Sequence, residues 1–500
     1  MIWEHFPVLI PIPLLLGAMI AAPIGVWKRH LSYPIALTAV GISLFSAISG
    51  LVFVLNTGTH NYYLGGWVPP IGIEYVVDSL SAFVSVIVVG AGFLVMIYSH
   101  RSLQKELPNK EVAFHSVALL FLAGLSGMVV TGDLFNLYVF LEIASLSAYA
   151  LVSVGEKRAP VAAFRYLLLG TIGATFYLLG LGYLYLVTGS LNMADTAKII
   201  PHLQETGLVL VALTLMIVGI GLKMALFPLH LWLPDAYTYA PSVGSAYLAP
   251  IATKVSAYVL IRILFTVFQP AFVSDKFPVT DVIAWLSVVG IVWGSVMAMA
   301  QKDLKRMLAY SSVSQIGYIG LGIGLANPLG FIGAVLHILN HAVMKATLFL
   351  VSGNLYYRFS EASIPEFDSS LRKKMPWTTA AFTIAALSMI GIPPTAGFFS
   401  KWYLVLGSIS ANNWIFVFVI GLSSLLNVIY FFRILEKMYL KKSSTPILSG
   451  STENNDVKMK EAPASMLIPT LIFALAVIVF GLLNAFIVDN IIKLALPAGM

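Results

Sequence analysis

The sequence predicts an all-α polytopic membrane protein with about 14 transmembrane helices. Hydrophobic residues make up 59% of its 500 residues and charged residues only 10%, a balance that soluble globular domains do not show. Apolar runs long enough to cross a bilayer recur along the whole chain. These runs lack the strict alternation of a membrane barrel strand, so each must satisfy its backbone hydrogen bonds internally, as a helix.

The predicted spans follow one another with short polar connections. Proline and glycine interrupt several of them, as membrane helices tolerate. The segments are 6–27, 31–55, 76–98, 114–131, 133–153, 161–188, 206–227, 242–267, 281–300, 304–324, 328–356, 377–409, 414–436 and 464–488.

The composition excludes several classes of protein. The chain has no cysteine, so it holds no disulfide, thiolate metal site, cysteine nucleophile or cysteine-ligated iron–sulfur cluster. The net charge of +7 does not indicate nucleic-acid binding, because the basic residues lie in short loops between apolar segments. No metal and no cofactor are expected. The first span lacks a basic leader and a cleavage site, so we expect it to be retained.

The distribution of lysine and arginine predicts the orientation. If the N-terminus lies outside, the cytoplasmic loops carry most of the basic residues, and the outside loops hold only Lys198, Lys276 and Lys493. Because basic loops stay in the cytoplasm, both termini are predicted to lie outside. The connections 357–376, expected to be amphipathic, and 443–463, polar, are then cytoplasmic. The outside loop 56–75 has strand-like character.

Buried charge is unevenly distributed. Among the 22 acidic residues, only Glu142 lies deep in a span, about 13 Å along the helix from Asp133 and near the middle of a hydrocarbon core about 30 Å thick. One glutamate cannot neutralise several buried lysines, so water-filled cavities and lysines that release protons are expected. The basic residues within or at the ends of spans are Arg165, Lys223, Lys254, Arg262, Lys345, Lys401 and Arg433.

Each of these residues also has a structural interpretation. Glu142 would then hydrogen-bond at a helix contact, and Lys401 would extend its stem towards the membrane surface. A functional role is favoured for both, because intramembrane charges are rarely incidental. Asp133 is most simply the N-cap of its helix. The three arginines are expected to anchor loops, helix ends or lipid.

Two spans carry helix-breaking residues close to a lysine. Span seven has Lys223 followed by Pro228, and span twelve has the pair Pro393 and Pro394 followed by Lys401. Breaks five spans apart suggest two inverted five-helix repeats, spans four to eight and nine to thirteen, as in secondary transporters. The predicted division is 1–110 for spans one to three, 111–268 and 269–440 for the repeats, 441–463 for a polar loop and 464–500 for span fourteen.

Span eleven adds a row of titratable side chains. His337, His341 and Lys345 are spaced four residues apart, so they lie near one face of a helix over about 12 Å. Imidazoles can relay protons near neutral pH, although structural roles for these three remain open. His230, after the first break, would cap a helix or line a cytoplasmic inlet. If the polar side chains of neighbouring spans lie side by side, they form a polar file through the membrane interior, made of Glu142, Lys223, Lys254, His341 and Lys401.

At these residues the chain resembles the antiporter-like subunits that Mrp cation/proton antiporters share with respiratory complex I and membrane-bound hydrogenases. The resemblance covers nearly the whole chain and is strongest to the Mrp D-type subunit. The size of 500 residues fits the D-type subunit better than the A-type and L-type subunits, which carry long C-terminal extensions, and the sequence has Lys401 where the complex I M-type subunit usually has glutamate. The matching stretches are GDLFNLYVFLE, GLKMALFPLHLWLPDAY, ATK, HILNHAVMKATLFL and GIPPTAGFFSKW.

The resemblance implies a proton-translocating subunit of a multisubunit Na⁺/H⁺ antiporter in the cell membrane of a prokaryote. Glu142 and Lys223 would form a coupled ion pair, Lys254 and the histidines the central relay, and Lys401 the terminal group. The implied partners are other membrane subunits, protons, Na⁺ and the lipid bilayer, without nucleic acid. A subunit of a redox-driven ion pump and a non-conducting scaffold are the alternatives, and buried lysines argue against the scaffold.

Overall fold

The chain folds mainly into long apolar helices, as the sequence predicts. The computed structural model describes residues 2–203, 206–360, 363–441 and 461–500. The α-helices are α1, Phe6–Leu9; α2, Ile12–Trp27; α3, Ser32–Thr57; α4, Ser79–Glu106; α5, Glu111–Val130; α6, Leu134–Ser153; α7, Ala159–Thr188; α8, Met193–Ile199; α9, Thr206–Met224; α10, Leu233–Tyr239; α11, Ser242–Tyr247; α12, Thr253–Ile261; α13, Val279–Met299; α14, Leu304–Gly324; α15, Pro328–Phe359; α16, Ser370–Lys374; α17, Pro376–Ile390; α18, Ala396–Ser410; α19, Trp414–Tyr439; α20, Ala464–Leu482; and α21, Asn484–Ile487.

Each of the fourteen predicted segments corresponds to a helix or a group of helices. Within the described residues, twelve helical stretches are long and apolar enough to cross a membrane. The other two predicted segments are α14, which begins with charged residues, and the pair α17 and α18, each too short to span alone. Most of the predicted polar connection 443–463 lies outside the described residues. The inverted repeats and the division into five parts stay predictions.

Two short strands occupy the loop that the sequence marks as strand-like. Strand β1 (His60–Tyr63) pairs antiparallel with β2 (Glu74–Val77), with His60 opposite Val77. Short 3-10 helices lie at Ile2–His5, Arg29–Leu31, Leu64–Gly66, Ile200–His202, Ile364–Glu366 and Lys493–Ala495. π-Helical stretches lie at Leu248–Ala252, Arg262–Val267, Ala271–Lys276 and Val488–Ile492.

Helix α15 forms the centre of the molecule. It packs against α4, α11, α14, α17, α18 and α20, and every residue of its most apolar stretch is buried inside the protein. An amphipathic helix at the lipid surface would have one exposed apolar face. Because α15 has none, its polar side chains meet other helices, so this helix is suited to carry buried titratable groups.

Both predicted helix breaks are present. Helix α9 ends at Met224, directly after Lys223, and the chain resumes helical structure at α10. Helix α17 ends at Ile390, and α18 begins five residues after Gly391. Proline cannot donate a backbone hydrogen bond, and a helix end leaves carbonyl groups without partners. A helix break therefore lies beside each of the two lysines, and the second break presents free backbone carbonyls to Lys401.

Arginines anchor helix ends and loops, as expected. Arg165 and Arg306 both contact the Asp235 carboxylate at 2.9 Å. Arg433 donates to the Met299 carbonyl at the end of α13 and to the Gln301 carbonyl in the loop before α14. Asp133 accepts from the Asn136 amide at 2.6 Å, which confirms it as the N-cap of α6.

Arg262 is anchored by an acid that sequence reasoning missed. Its guanidinium lies 2.5 Å from the Asp78 carboxylate and also donates to Tyr258. Burial raises the pKa of Asp78, but the Arg262 charge and hydrogen bonds from Arg262 and Ser81 outweigh it and leave that pKa below its usual value. Asp78 also caps α4, so the ion pair ties α4 to the end of α12.

Substitution Gly391→Ala tests the second helix break. Gly391 has a φ of 97°, in the left-handed region where a side chain costs about 1–2 kcal/mol. An added Cβ would also lie 3.3 Å from the Lys401 side chain. We expect the purified complex to lose its folded, monodisperse form at a lower temperature. The control is Gly421→Ala in α19, where a Cβ meets nothing within 4 Å; equal losses in both variants would contradict the prediction.

Candidate functional site

Glu142 and Lys223 lie close together but are not hydrogen-bonded to each other. The Lys223 Nζ atom is 3.9 Å from Glu142 Oε1. It donates instead to Ser145 Oγ at 2.7 Å and to the Tyr149 hydroxyl at 3.2 Å. Glu142 Oε1 has no hydrogen-bond partner among the described residues. The pair is therefore loose, and two hydroxyl groups compete with the carboxylate for the lysine.

The helix break positions Lys223. This lysine is the second-last residue of α9, so the partial negative charge at the helix C-terminus favours a positive charge there. The indole of Trp232 donates to the Leu222 carbonyl at 2.8 Å, which fastens the segment after the break to the end of the helix. A small cavity of about 30 Å³ lies beside Lys223 and reaches Ser256 of α12. It has room for a water molecule or two.

Lys254 is buried at an irregular stretch of helix. Only 1% of the residue is exposed. Its Nζ atom donates to the Ala249 carbonyl at 2.5 Å and lies 3.3 Å from Thr253 Oγ1. The accepting carbonyl belongs to the π-helical stretch Leu248–Ala252, and such irregular helical turns are frequent at functional sites. The irregular backbone therefore supplies an acceptor to a lysine that has no acidic partner among the described residues.

The two histidines of α15 differ in their hydrogen bonding. His337 Nδ1 lies 2.8 Å from Ser400 Oγ, and its Nε2 lies 3.1 Å from Gln315 Oε1. His341 is completely buried, and neither of its ring nitrogens has a hydrogen-bond partner among the described residues. The two rings stack with centroids 5.8 Å apart. His341 is therefore free to bond to water or to accept a proton, whereas His337 is held in place.

Lys345 points towards α14. Its Nζ atom donates to the Leu308 carbonyl at 2.7 Å and to Ser311 Oγ at 2.5 Å. These two acceptors match the two N–H groups of a neutral amine, whereas an ammonium has three. A neutral Lys345 would therefore be fully satisfied here, with its lone pair available to a proton.

Lys401 is bound by the second helix break. Its Nζ atom donates to the Met389 carbonyl at 2.9 Å, the Ile390 carbonyl at 3.0 Å and Ser424 Oγ at 3.3 Å. The two carbonyls belong to the C-terminal end of α17, where helical partners are missing. The lysine also lies 5.0 Å from the centroid of the Tyr318 ring. These contacts satisfy a charged lysine without any carboxylate.

The structure brings most of the predicted residues close to one another. Lys254 lies within electrostatic range of His337, His341 and Lys345, and Lys401 lies within electrostatic range of His337. The pair of Glu142 and Lys223 is separate from this group; the small cavity beside Lys223 extends to Ser256, two residues from Lys254 along the chain. His230 lies apart, stacked on Phe227 at 5.4 Å, and no described hydrogen bond joins it to the group.

Several polar side chains that contact the site residues were not predicted from the sequence. Ser145 and Tyr149 follow Glu142 by three and seven residues, so helical spacing was a usable signal for them. Gln315, Tyr318 and Ser424 come from other helices, and nothing in their local sequence indicates where they meet the lysines and histidines.

Known proteins resemble this chain over its whole length. The family described as NADH:quinone oxidoreductase/Mrp antiporter, TM, matches residues 131–427, a range that contains every residue of the polar file. A Desulforudis audaxviator protein named NADH-quinone oxidoreductase subunit N is 47% identical over 99% of each chain. A Bacillus subtilis protein, named as the D-type subunit of a Na(+)/H(+) antiporter, is 30% identical over 89% of this chain and 87% of that protein.

A solved structure has the same fold. A chain in the Mrp complex from Dietzia sp. DQ12-45-1b superposes with a TM-score of 0.87 over 99% of this chain and 97% of that chain, at 23% identity. The fold, the matched region and the sequence relatives agree. This chain belongs to the NADH:quinone oxidoreductase/Mrp antiporter family of membrane subunits.

Proposed function

We propose that this chain is the proton-translocating membrane subunit of a multisubunit monovalent cation/proton antiporter. The observation that carries the proposal is a series of buried lysines and histidines, in which hydroxyls and backbone carbonyls hold the lysines, with one deep carboxylate at one end. A protein that needed only structure has no use for so many titratable groups in an apolar interior. The antiporter name of the Bacillus relative favours this use of them.

The loose ion pair would act as the first switch. A nearby carboxylate stabilises an ammonium, and its withdrawal favours release of the proton. At 3.9 Å, a small movement of Glu142 is enough to make or break a direct hydrogen bond to Lys223. Ser145 and Tyr149 hold the lysine while the carboxylate moves, so the pair can change without leaving Lys223 unsatisfied.

The central groups would pass the proton onward. Lys254 and His341 are both buried and within electrostatic reach of each other. His341 can accept a proton at one nitrogen and release one from the other. Like charges in this group repel, so a proton that arrives at one position favours release at the next. Lys401 would be the last member, which exchanges its proton with the outside.

The proposed setting is the cell membrane of a prokaryote, with both termini outside. The concentration of basic residues in alternate loops supports this orientation. The inverted repeats, spans four to eight and nine to thirteen, would place one helix break in each half, and the spacing of the two observed breaks supports that arrangement.

Other membrane subunits are the proposed partners. The outer face of α6 exposes Phe135 by 45%, Val139 by 40% and Leu146 by 57%. Glu142 lies in the middle of this stripe, and its side chain is 25% exposed. A carboxylate facing lipid is costly, so a neighbouring subunit that covers it would stabilise the helix. We expect the complex, rather than the isolated chain, to carry out the exchange.

Membership of a redox-driven complex is the second candidate function. The Desulforudis relative, 47% identical, is named as an oxidoreductase subunit. Both candidates use the same series of buried groups in this chain and differ in the partners that supply energy.

Substitution Glu142→Gln should abolish proton-coupled cation exchange. The carboxamide keeps the shape and removes the charge that stabilises a protonated Lys223, so we expect a loss of about tenfold or more. The measurement is Na⁺- or K⁺-induced collapse of a proton gradient in membrane vesicles with the complex still assembled. Asp281→Asn, an exposed acid at the start of α13, should exchange normally. Full activity in Glu142→Gln would overturn the switch.

Substitutions Lys401→Ala and Lys401→Arg separate a relay from a structural charge. Alanine removes the titratable group. Arginine keeps the positive charge but does not release its proton in proteins. Both variants should lose exchange by about tenfold or more in the same vesicle measurement, whereas Lys493→Ala, at an exposed C-terminal position, should not. Recovery of exchange in Lys401→Arg would assign Lys401 a structural role.

The polypeptides that co-purify in mild detergent decide between the two candidate functions. An antiporter complex should yield membrane subunits only, identified by mass spectrometry, with no redox metal in the preparation. A peripheral arm with iron–sulfur or nickel centres would instead favour the redox-driven candidate.

A further inference from the structure

A cavity of about 320 Å³ lies at the membrane side where the basic loops gather. Here it is called the loop-side cavity. Six of its lining residues are Gly155, Thr238, Pro241, Lys305, Ser352 and Tyr356. Its charged lining residues are Glu106, Glu156, Lys157, Asp303 and Lys305. Such a volume has room for several water molecules.

The cavity reaches from exposed loops to the buried centre. Glu156, Lys157 and Asp303 are exposed and lie at its mouth, whereas Ser352 of α15 is completely buried. The Ser352 Oγ atom has no hydrogen-bond partner among the described residues. A buried hydroxyl without a partner is unfavourable. The Ser352 Oγ atom is itself enclosed, so a cavity water would hydrogen-bond to it after a small movement of the lining side chains. The inner wall of the cavity is therefore suited to hold water.

Glu106 is the carboxylate at the neck of this cavity. Its two carboxylate oxygens accept from the Ser242 backbone amide at 2.9 and 3.0 Å, and one also accepts from the Ser242 hydroxyl at 3.2 Å. Lys305 donates to the Ala240 carbonyl at 2.9 Å rather than to Glu106. Glu106 therefore has no direct cationic partner among the described residues, and its oxygens face both the cavity and the start of α11.

Lys345 is the buried titratable group that the cavity approaches along α14. Lys305 lines the cavity, and Leu308, whose carbonyl accepts from Lys345, follows three residues later. Three residues advance about 4.5 Å along a helix and stay on the same face. On α15, Ser352 lies seven residues after Lys345 and also on the same face. Two helices thus lead from the cavity to the same lysine.

We propose that the loop-side cavity is the proton inlet of this chain, that Glu106 collects protons there and that Lys345 is the first buried group to receive them. The inference rests on the proposed function, because it assigns a proton entry point to the same central group of buried residues, whose protonation the pair of Glu142 and Lys223 would switch. A proton binds the Glu106 carboxylate, passes through cavity water as far as Ser352, and leaves the carboxylate charged again. From there, water that enters between α14 and α15 would carry it to the lone pair of the neutral Lys345 amine. Lys345 then hands it to His341, one helical turn away on α15.

A purely structural role for Glu106 is the competing interpretation. Its hydrogen bonds to Ser242 cap the span Ser242–Val267 that carries Lys254. The substitution Glu106→Gln distinguishes the two roles, because an amide oxygen still accepts from Ser242 but an amide cannot collect a proton.

In vesicles that contain the whole complex, we expect Glu106→Gln to shift the proton dependence of exchange. Without the collecting carboxylate, a higher proton concentration is needed, so the pH of half-maximal rate should fall by about one unit, a shift comparable to the spread of carboxyl pKa values in proteins. The maximal rate at saturating proton concentration should not change. The control is Glu366→Gln, an exposed acid in the loop before α16 and outside the cavity, which should leave the pH profile unchanged. A lower maximal rate with an unshifted profile would identify Glu106 as a structural cap and overturn the inference.

Thiol labelling tests the cavity without measuring transport. Because the chain has no cysteine, Ser352→Cys introduces a single thiol at the inner wall. A charged, membrane-impermeant thiol reagent added to inside-out vesicles should label it at least about tenfold faster than Thr347→Cys, since only a hydrated thiol ionises and reacts readily. Thr347 is equally buried on α15 and does not line the cavity. Equal rates would overturn the inlet.

The two proposals fail in different ways. Loss of exchange in Glu142→Gln with an unshifted profile in Glu106→Gln overturns the inlet alone. Full exchange in Glu142→Gln overturns the proposed function, and with it the inlet, whatever the labelling shows.

Discussion

The cost of placing positive charge in an apolar interior shapes this structure. Carboxylates would be the usual partners, yet the spans supply one deep acid for several lysines. The chain satisfies those lysines with backbone carbonyls at helix irregularities: Ala249 for Lys254, and Met389 and Ile390 for Lys401. A neutral acceptor stabilises an ammonium less than a carboxylate does. Lys254 and Lys401 could therefore lose a proton without leaving an unpaired buried acid behind, which would keep the proposed proton transfer reversible.

The helix breaks are therefore part of the chemistry as well as of the fold. A regular helix uses nearly all its carbonyls internally, whereas a broken one leaves acceptors at its end. In α17 the break also requires Gly391 in a left-handed conformation, which lets the Lys401 side chain pack against backbone. At the end of α9 the break has a different effect, because hydroxyls of α6 rather than carbonyls hold Lys223. The first lysine is thus the one whose partners can be exchanged.

The sequence predicts the helices and the depth of each charge, but only part of the site. Periodicity and length locate α6 and α15, and charge counting singles out Glu142. Proline and glycine locate both breaks, because they act through local backbone geometry. Residues that meet only through tertiary packing were not predictable: Gln315 and Ser400 reach His337 from two other helices. Asp78 was missed for the same reason, since Arg262 is far from it along the chain.

The two candidate functions share one physical requirement, which is that proton movement in this chain must be coupled to an event outside it. Glu142 lies on the partly exposed stripe of α6, so a neighbouring subunit that approaches or withdraws would change the electrostatic environment of the carboxylate directly. Under the proposed mechanism, a change there would alter the protonation of the first lysine, and repulsion among the buried groups would carry the effect towards Lys401. The same series of groups can therefore serve a cation gradient or a redox reaction. In both cases the energy source would depend on which subunit lies beside α6.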